Sequence, residues 1–194
     1  MSDFELYFQL GREHILDIQG YDHILFVVAL CALYQMYEWK KVLVLVTAFT
    51  VGHSLTLALA VLDIIVVNKS LIEFLIPVTI FITAVTNITK GNQLSNDKNG
   101  NLNYFFALAF GLIHGMGFSN YLKSMLGKNS DLLTQLFAFN LGLELGQIII
   151  VLVTLFLAFV VTGVLGRNRR DWNMVVSSAV AGVAIILMIE TRFW

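Results

Sequence analysis

The feature that most limits the fold of this chain is a series of apolar runs of about 20 residues, separated by short polar stretches. A helix of about that length crosses the hydrocarbon layer of a bilayer. We predict spans over Tyr21–Tyr37, Val42–Leu62, Leu71–Ile88, Tyr104–Leu122, part of Leu132–Leu165, and Trp172–Thr191. The sequence therefore predicts an all-α integral membrane protein, in which residues 1–194 form one compact bundle of six transmembrane helices.

Composition supports the bilayer as a partner of the chain. The chain is 58% hydrophobic and 13% charged, whereas soluble domains carry about 25% charged residues. Its formal net charge of -1 leaves no basic surface for nucleic acid. Cys31, the only cysteine, excludes an intramolecular disulfide and a metal site made of several thiolates.

The segments outside the spans differ in character. Acidic and apolar residues are mixed over Met1–Ile18, which predicts a short amphipathic helix at the membrane interface, ended by Gly20. This acidic start differs from the basic start of a secretory signal, so we expect no cleaved signal. Lys90–Asn103 is rich in Asn, Gly and Lys and predicts a long polar loop.

Basic residues give a weak indication of orientation. Six spans place seven basic residues on one side and five on the other, and cytoplasmic loops are usually the more basic. The two sets are Lys40, Lys41, Lys90, Lys98, Arg167, Arg169, Arg170 and Arg12, Lys69, Lys123, Lys128, Arg192. We expect both termini outside the cytoplasm, in a bacterial inner membrane. The sequence leaves a homo-oligomer open.

Polar residues inside the predicted spans are the functional candidates. A charge at the centre of a bilayer costs about 2.5–3.5 kcal/mol on insertion scales, so such residues are rare unless they serve a function. Three of the four histidines lie in spans, and the fourth lies just before the first span. Asp22 and Glu144 are the embedded carboxylates. We predict a metal site formed by His14, His23, His53, His114, Asp22 and Glu144.

The order of the spans places these candidates at one depth. Spans one and five start on the side of the membrane where spans two and four end. At about 1.5 Å per residue, Asp22, His23, His53, His114 and Glu144 all fall in the same half of the bilayer. A single shared site explains this placement better than scattered polar residues do.

Helical spacing adds supporting residues to this site. Asn140, Glu144 and Gln147 share one face of span five. Thr50 and Ser54 share a polar face of span two with His53. We expect Asn140, Gln147, Thr50 and Ser54 to surround and orient the ligands.

Pairs of glycines four residues apart indicate close helix packing near this site. Gly111 and Gly115 flank His114, and Gly142 and Gly146 flank Glu144. Small residues at this spacing let two backbones approach closely inside a membrane. Short imidazole and carboxylate side chains on neighbouring helices can then converge.

Imidazole with carboxylate suits Ni, Co, Zn, Cu or Fe(II), whereas Mg and Ca prefer shells of oxygen.

Three functions remain open. A divalent-metal permease needs a binding shell loose enough for release. An intramembrane zinc-dependent hydrolase needs three histidines, a carboxylate and a bound water. A structural network needs only hydrogen bonds that fix the helices.

Four motifs carry a resemblance to a known family. They are Gly11–His23, Thr47–Thr56, Phe110–Phe118 and Phe139–Gln147. In this order they resemble the HupE/UreJ family of hydrogenase and urease accessory membrane proteins, which are regarded as nickel or cobalt permeases. The resemblance implies that Asp22 and His23 match the His/Asp motif of the first span, and that His114 and Gly115 match a later His-Gly motif.

Overall fold

The structure, a computed structural model, describes residues 2–66, 68–90, 100–125 and 132–194, and the regular secondary structure in these residues is helical. The helices are α1 (Asp3–Leu16), α2 (Asp22–Cys31), α3 (Trp39–Val61), α4 (Lys69–Lys90), α5 (Gly100–Met125), α6 (Leu132–Phe159) and α7 (Arg169–Glu190). A 3-10 turn precedes α3 at Met36–Glu38, and a π-helical turn at Val160–Val164 extends α6. Of the predicted polar loop, residues 91–99 lie outside the described residues.

Four described helices are long and apolar enough to cross a membrane. They are Met36–Val61, Lys69–Thr89, Leu132–Val164 and Arg169–Glu190, which correspond to predicted spans two, three, five and six. Helix α5 has 26 residues, but Asn103, His114 and Ser119 interrupt its apolar sequence. The chain is therefore a multi-pass membrane protein, although these four helices alone do not give the predicted count of six.

The first predicted span is much shorter in the structure than in the sequence analysis. Helix α2 has only 10 residues, so it is about 15 Å long and covers half of a hydrocarbon layer of about 30 Å. The apolar sequence continues past Cys31, but the helix does not. Gln35 and Glu38 cap each other reciprocally and begin the next helical segment. Buried Gln35 also accepts a hydrogen bond from Thr162 at 2.9 Å, which holds this turn against the end of α6.

The N-terminal segment is packed into the bundle, whereas the sequence predicted a helix lying at the interface. Helix α1 runs along α6. Tyr7 and Ile15 are buried, and the Tyr7 hydroxyl donates a hydrogen bond to the carbonyl of Met125 at 3.2 Å. The amphipathic pattern was thus identified correctly, but its apolar face is covered by protein. Residues 17–21 separate α1 from α2, so the first part of the bundle is a broken helix.

Side-chain contacts fix the direction of each helix. An ion pair between Lys123 and Asp63 joins the ends of α3 and α5, and we call this end of the bundle the Lys123 end. Helix α4 begins there, because Ile72 and Ile76 lie nearest to Gly117 of α5. Helix α7 finishes there, since Phe74 of α4 meets Trp194 edge to face with ring centres 4.9 Å apart.

Glycines bring two pairs of helices into backbone contact. A Cβ atom at Gly111 of α5 would overlap the carbonyl oxygen of Phe49 in α3, and one at Gly115 would overlap that of His53. In the other pair, a Cβ atom at Gly142 of α6 would overlap the carbonyl oxygen of Phe8 in α1. The close approach predicted from the glycine spacing is confirmed, and in both pairs the helices run parallel.

We expect Gly111→Ala and Gly142→Ala to lower the free energy of unfolding by about 1–3 kcal/mol, because the added methyl groups overlap backbone atoms that cannot move independently. Gly182→Ala is the matched control, since nothing lies within 4 Å of a Cβ atom at that position. Thermal unfolding in detergent, followed by circular dichroism, measures the difference. Equal stability of all three variants would contradict the packing described above.

Candidate metal centre

Three histidines from three different helices converge inside the bundle. One ring nitrogen from each of His14, His23 and His53 lies within 4.8 Å of the others. These residues belong to α1, α2 and α3. The ring centres of His14 and His23 are 4.6 Å apart, and those of His23 and His53 are 5.9 Å apart. We call these three residues the histidine cluster.

His23 is oriented by its neighbour in sequence. Its Nδ1 lies 3.0 Å from the Oδ1 atom of Asp22, which also accepts the His23 backbone N–H. Because a carboxylate only accepts, Nδ1 carries the proton and Nε2 keeps its lone pair. A carboxylate that accepts from one ring nitrogen commonly orients a metal-binding histidine in this way. Asp22 is thus placed to orient a ligand.

His114 lies beside the histidine cluster and is held by α4. Its ring centre is 5.2 Å from that of His23, and its Nε2 is 3.1 Å from Thr79 Oγ1. The Thr79 hydroxyl donates to the carbonyl of Ile76, so it accepts the Nε2 proton of His114. This leaves the lone pair of His114 on Nδ1.

Five imidazole nitrogens of this centre are buried without hydrogen-bond partners among the residues that the structure describes. The atoms concerned are Nε2 of His14, Nε2 of His23, both ring nitrogens of His53, and Nδ1 of His114. Buried polar atoms are nearly always paired, and His53 and His114 are completely buried. Four imidazoles in one place, each able to present one lone pair, fit a divalent transition metal.

A large cavity leads to this centre. It has a volume of 1250 Å³ and is lined by His14, His23 and His114 together with the break between α1 and α2. Glu73 near the start of α4 and Tyr121 near the end of α5 also line it. Both residues mark the Lys123 end, so the histidine cluster is reached from that end of the bundle.

Aromatic rings enclose the centre on its other sides. Phe118 packs on His14 with ring centres 3.8 Å apart. Phe26 and Phe49 each lie 5.1 Å from the ring of His114. These rings exclude water, and a polar or charged species held here interacts more strongly with its ligands than it would in solution.

Glu144 is not brought into this centre. Its Oε1 accepts a hydrogen bond from Thr47 at 2.9 Å, on the surface between α3 and α6. The supporting residues predicted on the same helices contact one another there. Thr50 donates to Gln147 Oε1 at 2.6 Å, and Ser54 donates to the carbonyl of Thr50. Buried Asn140 Oδ1 and Gln147 Nε2 have no hydrogen-bond partner in the described parts of the chain.

Neither Thr79 nor the aromatic enclosure was predicted from the sequence. Thr79 lies two residues after Pro77 on α4, and Thr83 follows it by one helical turn. A polar face on that span was the available signal. His14 was predicted outside the spans, yet it lies in the cluster, because α1 packs along α6 and ends beside α2.

One known protein family matches nearly the whole chain. The family model described as HupE / UreJ protein matches residues 1–193. No curated protein and no solved structure matches the chain. Since the family match covers the four motifs and all of the helices, the chain belongs to the HupE/UreJ family.

Proposed function

We propose that this protein is a permease for a divalent transition metal of the nickel or cobalt type, and that the ion is cargo bound by the histidine cluster. The observation that carries the proposal is the convergence of three imidazoles, with one ring nitrogen of each within 4.8 Å of the others, in a centre whose buried ring nitrogens lack hydrogen-bond partners among the described residues. Membership of the family implies a nickel- or cobalt-related accessory or permease role. Imidazole ligands also suit Zn and Cu.

The arrangement supports binding followed by release. His14, His23 and His53 form an incomplete shell, and the free Nδ1 of His114 lies beside it. Permeation requires sites that bind an ion firmly enough to admit it and loosely enough to let it leave. An ion leaving the three-histidine group therefore has a fourth imidazole within reach. Glu144 has no part in this ligand set, because it is bonded to Thr47.

Six crossings follow if α1 and α2 together form the first one. Helices α3 to α7 supply the other five, and both termini then lie at the Lys123 end. Transporters commonly bind their substrates where a membrane helix is interrupted, and here the break at residues 17–21 lines the cavity. With the more basic loops in the cytoplasm, the cavity faces outward and the ion moves inward.

An intramembrane hydrolase is the second candidate, and one observation favours it. Ile149 lines the cavity and is 41% exposed on the outer face of α6, so a lipid-like substrate has lateral access to the centre. Three imidazoles also match a catalytic zinc site. The structural network has less support, because the imidazole nitrogens named above do not bond to Glu144 or to each other.

His53→Ala and His23→Ala are expected to lower the affinity for Ni²⁺ or Co²⁺ at least about tenfold, since metal sites lose this much even when a residue that only orients a ligand is removed. Glu144→Gln is the matched control and should bind as the unmodified protein does. Equilibrium dialysis in detergent, with elemental analysis, gives the affinities. If His53→Ala binds normally, or if Glu144→Gln alone loses the metal, the ligand set is wrong.

Transport separates the two candidate functions. We expect purified protein in liposomes to carry Co²⁺ down an imposed gradient, read by a dye inside that responds to the metal. His53→Ala should remove this flux, because the ion loses its binding site. Metal binding without any flux, together with zinc-dependent hydrolysis of a lipid ester, would instead establish the hydrolase.

Orientation is tested by labelling single cysteines in a Cys31→Ser background. Val66→Cys lies at the Lys123 end and is 90% exposed as valine, while Asn168→Cys lies at the opposite end and is also exposed. In intact cells we expect a membrane-impermeant maleimide to label the first and not the second, because the less basic side should face outward. The reverse pattern would invert the orientation and make the cavity an intracellular one.

A further inference from the structure

A second cavity lies beyond the histidine cluster, towards the end of the bundle opposite the Lys123 end. It has a volume of 150 Å³ and lies between α2, α3, α4 and α5. Its wall includes Leu30, Leu45, Thr83, Asn87 and Phe110. We call it the inner cavity and the larger one the outer cavity. The proposed function places the ion only in the outer cavity and the histidine cluster.

Two phenylalanines separate the inner cavity from the metal centre. Phe26 and Phe49 pack with ring centres 4.8 Å apart, and both are buried. Each lies 5.1 Å from the ring of His114, which lines the outer cavity. Phe26 also lies 6.0 Å from Phe110, which lines the inner cavity. The Phe26–Phe49 pair therefore lies between the two cavities.

On three helices, a residue at the Phe26–Phe49 pair or the metal centre lies one helical turn away from a residue that lines the inner cavity. Phe26 and Leu30 on α2, Leu45 and Phe49 on α3, and Phe110 and His114 on α5 are each four residues apart. Four residues make one helical turn, about 6 Å along the axis. On α2 and α3 the inner cavity is thus one turn beyond the Phe26–Phe49 pair, and on α5 it is one turn beyond His114.

A line of polar side chains on α4 passes this layer. Thr79 contacts His114, and Thr83, one turn further, donates to the carbonyl of Thr79 at 2.9 Å. Thr86 and Asn87 follow at the next turn and line the inner cavity with Thr83. A hydroxyl that donates to the helix backbone keeps two lone pairs; one lone pair of Thr79 accepts from His114, and the other remains available to an ion. Helix α4 therefore offers oxygen ligands from the metal centre to the inner cavity.

We propose that the Phe26–Phe49 pair is the closed gate of the transport path, and that the threonine face of α4 carries the ion past it into the inner cavity. This inference rests on the proposed permease function and specifies its route. Apolar constrictions close pores by excluding water. Displacement of two phenyl rings joins the two cavities, while the fixed oxygens of Thr79 and Thr83 replace part of the ion's hydration shell.

The gate is tested by Co²⁺ flux and Co²⁺ binding, measured on the same preparations of the full-length protein. Phe26→Ala and Phe49→Ala should raise flux into liposomes at least about fivefold, because either change opens the apolar constriction. Thr83→Val keeps the shape of the side chain and should lower flux at least about fivefold, because one oxygen of the path is lost. All three variants should bind Co²⁺ within about threefold of the unmodified protein, since none changes a ligand.

Phe105→Ala is the matched control, because Phe105 is 62% exposed on the outside of α5 and contacts neither cavity. Normal binding with unchanged flux in Phe26→Ala, Phe49→Ala and Thr83→Val would overturn the gate and leave the metal site intact. Failure of the unmodified protein to bind Co²⁺ would instead contradict the proposed permease function. If the phenylalanine variants do not fold, Thr83→Val alone decides, and normal flux through it rejects the route.

Discussion

The contact on which the rest of this structure depends is that of glycine with the backbone of a neighbouring helix. Gly111 and Gly115 bring α5 against α3, and Gly142 brings α6 against α1. Lipid provides no hydrophobic force between helices, so packing at short range has to hold them. The same contacts place His53 and His114 on touching backbones. The glycine contacts that hold the helices together therefore also position the histidines of the candidate metal centre.

Much of the bundle was predictable from local sequence. Apolar runs identify α3, α4, α6 and α7 within a few residues, because a membrane span needs a minimum length of apolar residues. The first span was not predictable in this way. Its apolar run continues from α2 into a turn held by Gln35 and Thr162, and that contact joins residues far apart in sequence.

The candidate metal centre was predictable in part. The part that could not be predicted is the rotation of each helix about its own axis, which decides where a side chain faces. Depth follows from counting residues along a span, and it indicated the level of His23 and His53. Which way a side chain faces depends on packing. Glu144 lies on α6 at a suitable spacing, but it faces Thr47 rather than the histidines. His14 shows the opposite case. It lies before the predicted spans, yet the packing of α1 along α6 brings it into the histidine cluster.

The broken first helix bears on how the protein is made. Neither α1 nor α2 is long enough to cross a bilayer alone, and the surface that covers α1 belongs to α6, which the ribosome produces much later. The amino-terminal part of the chain must therefore wait for α6 before it can settle. Packing against α6 holds His14 beside the other two histidines, so we expect a nascent or truncated chain that lacks α6 to lack the complete histidine cluster during membrane insertion.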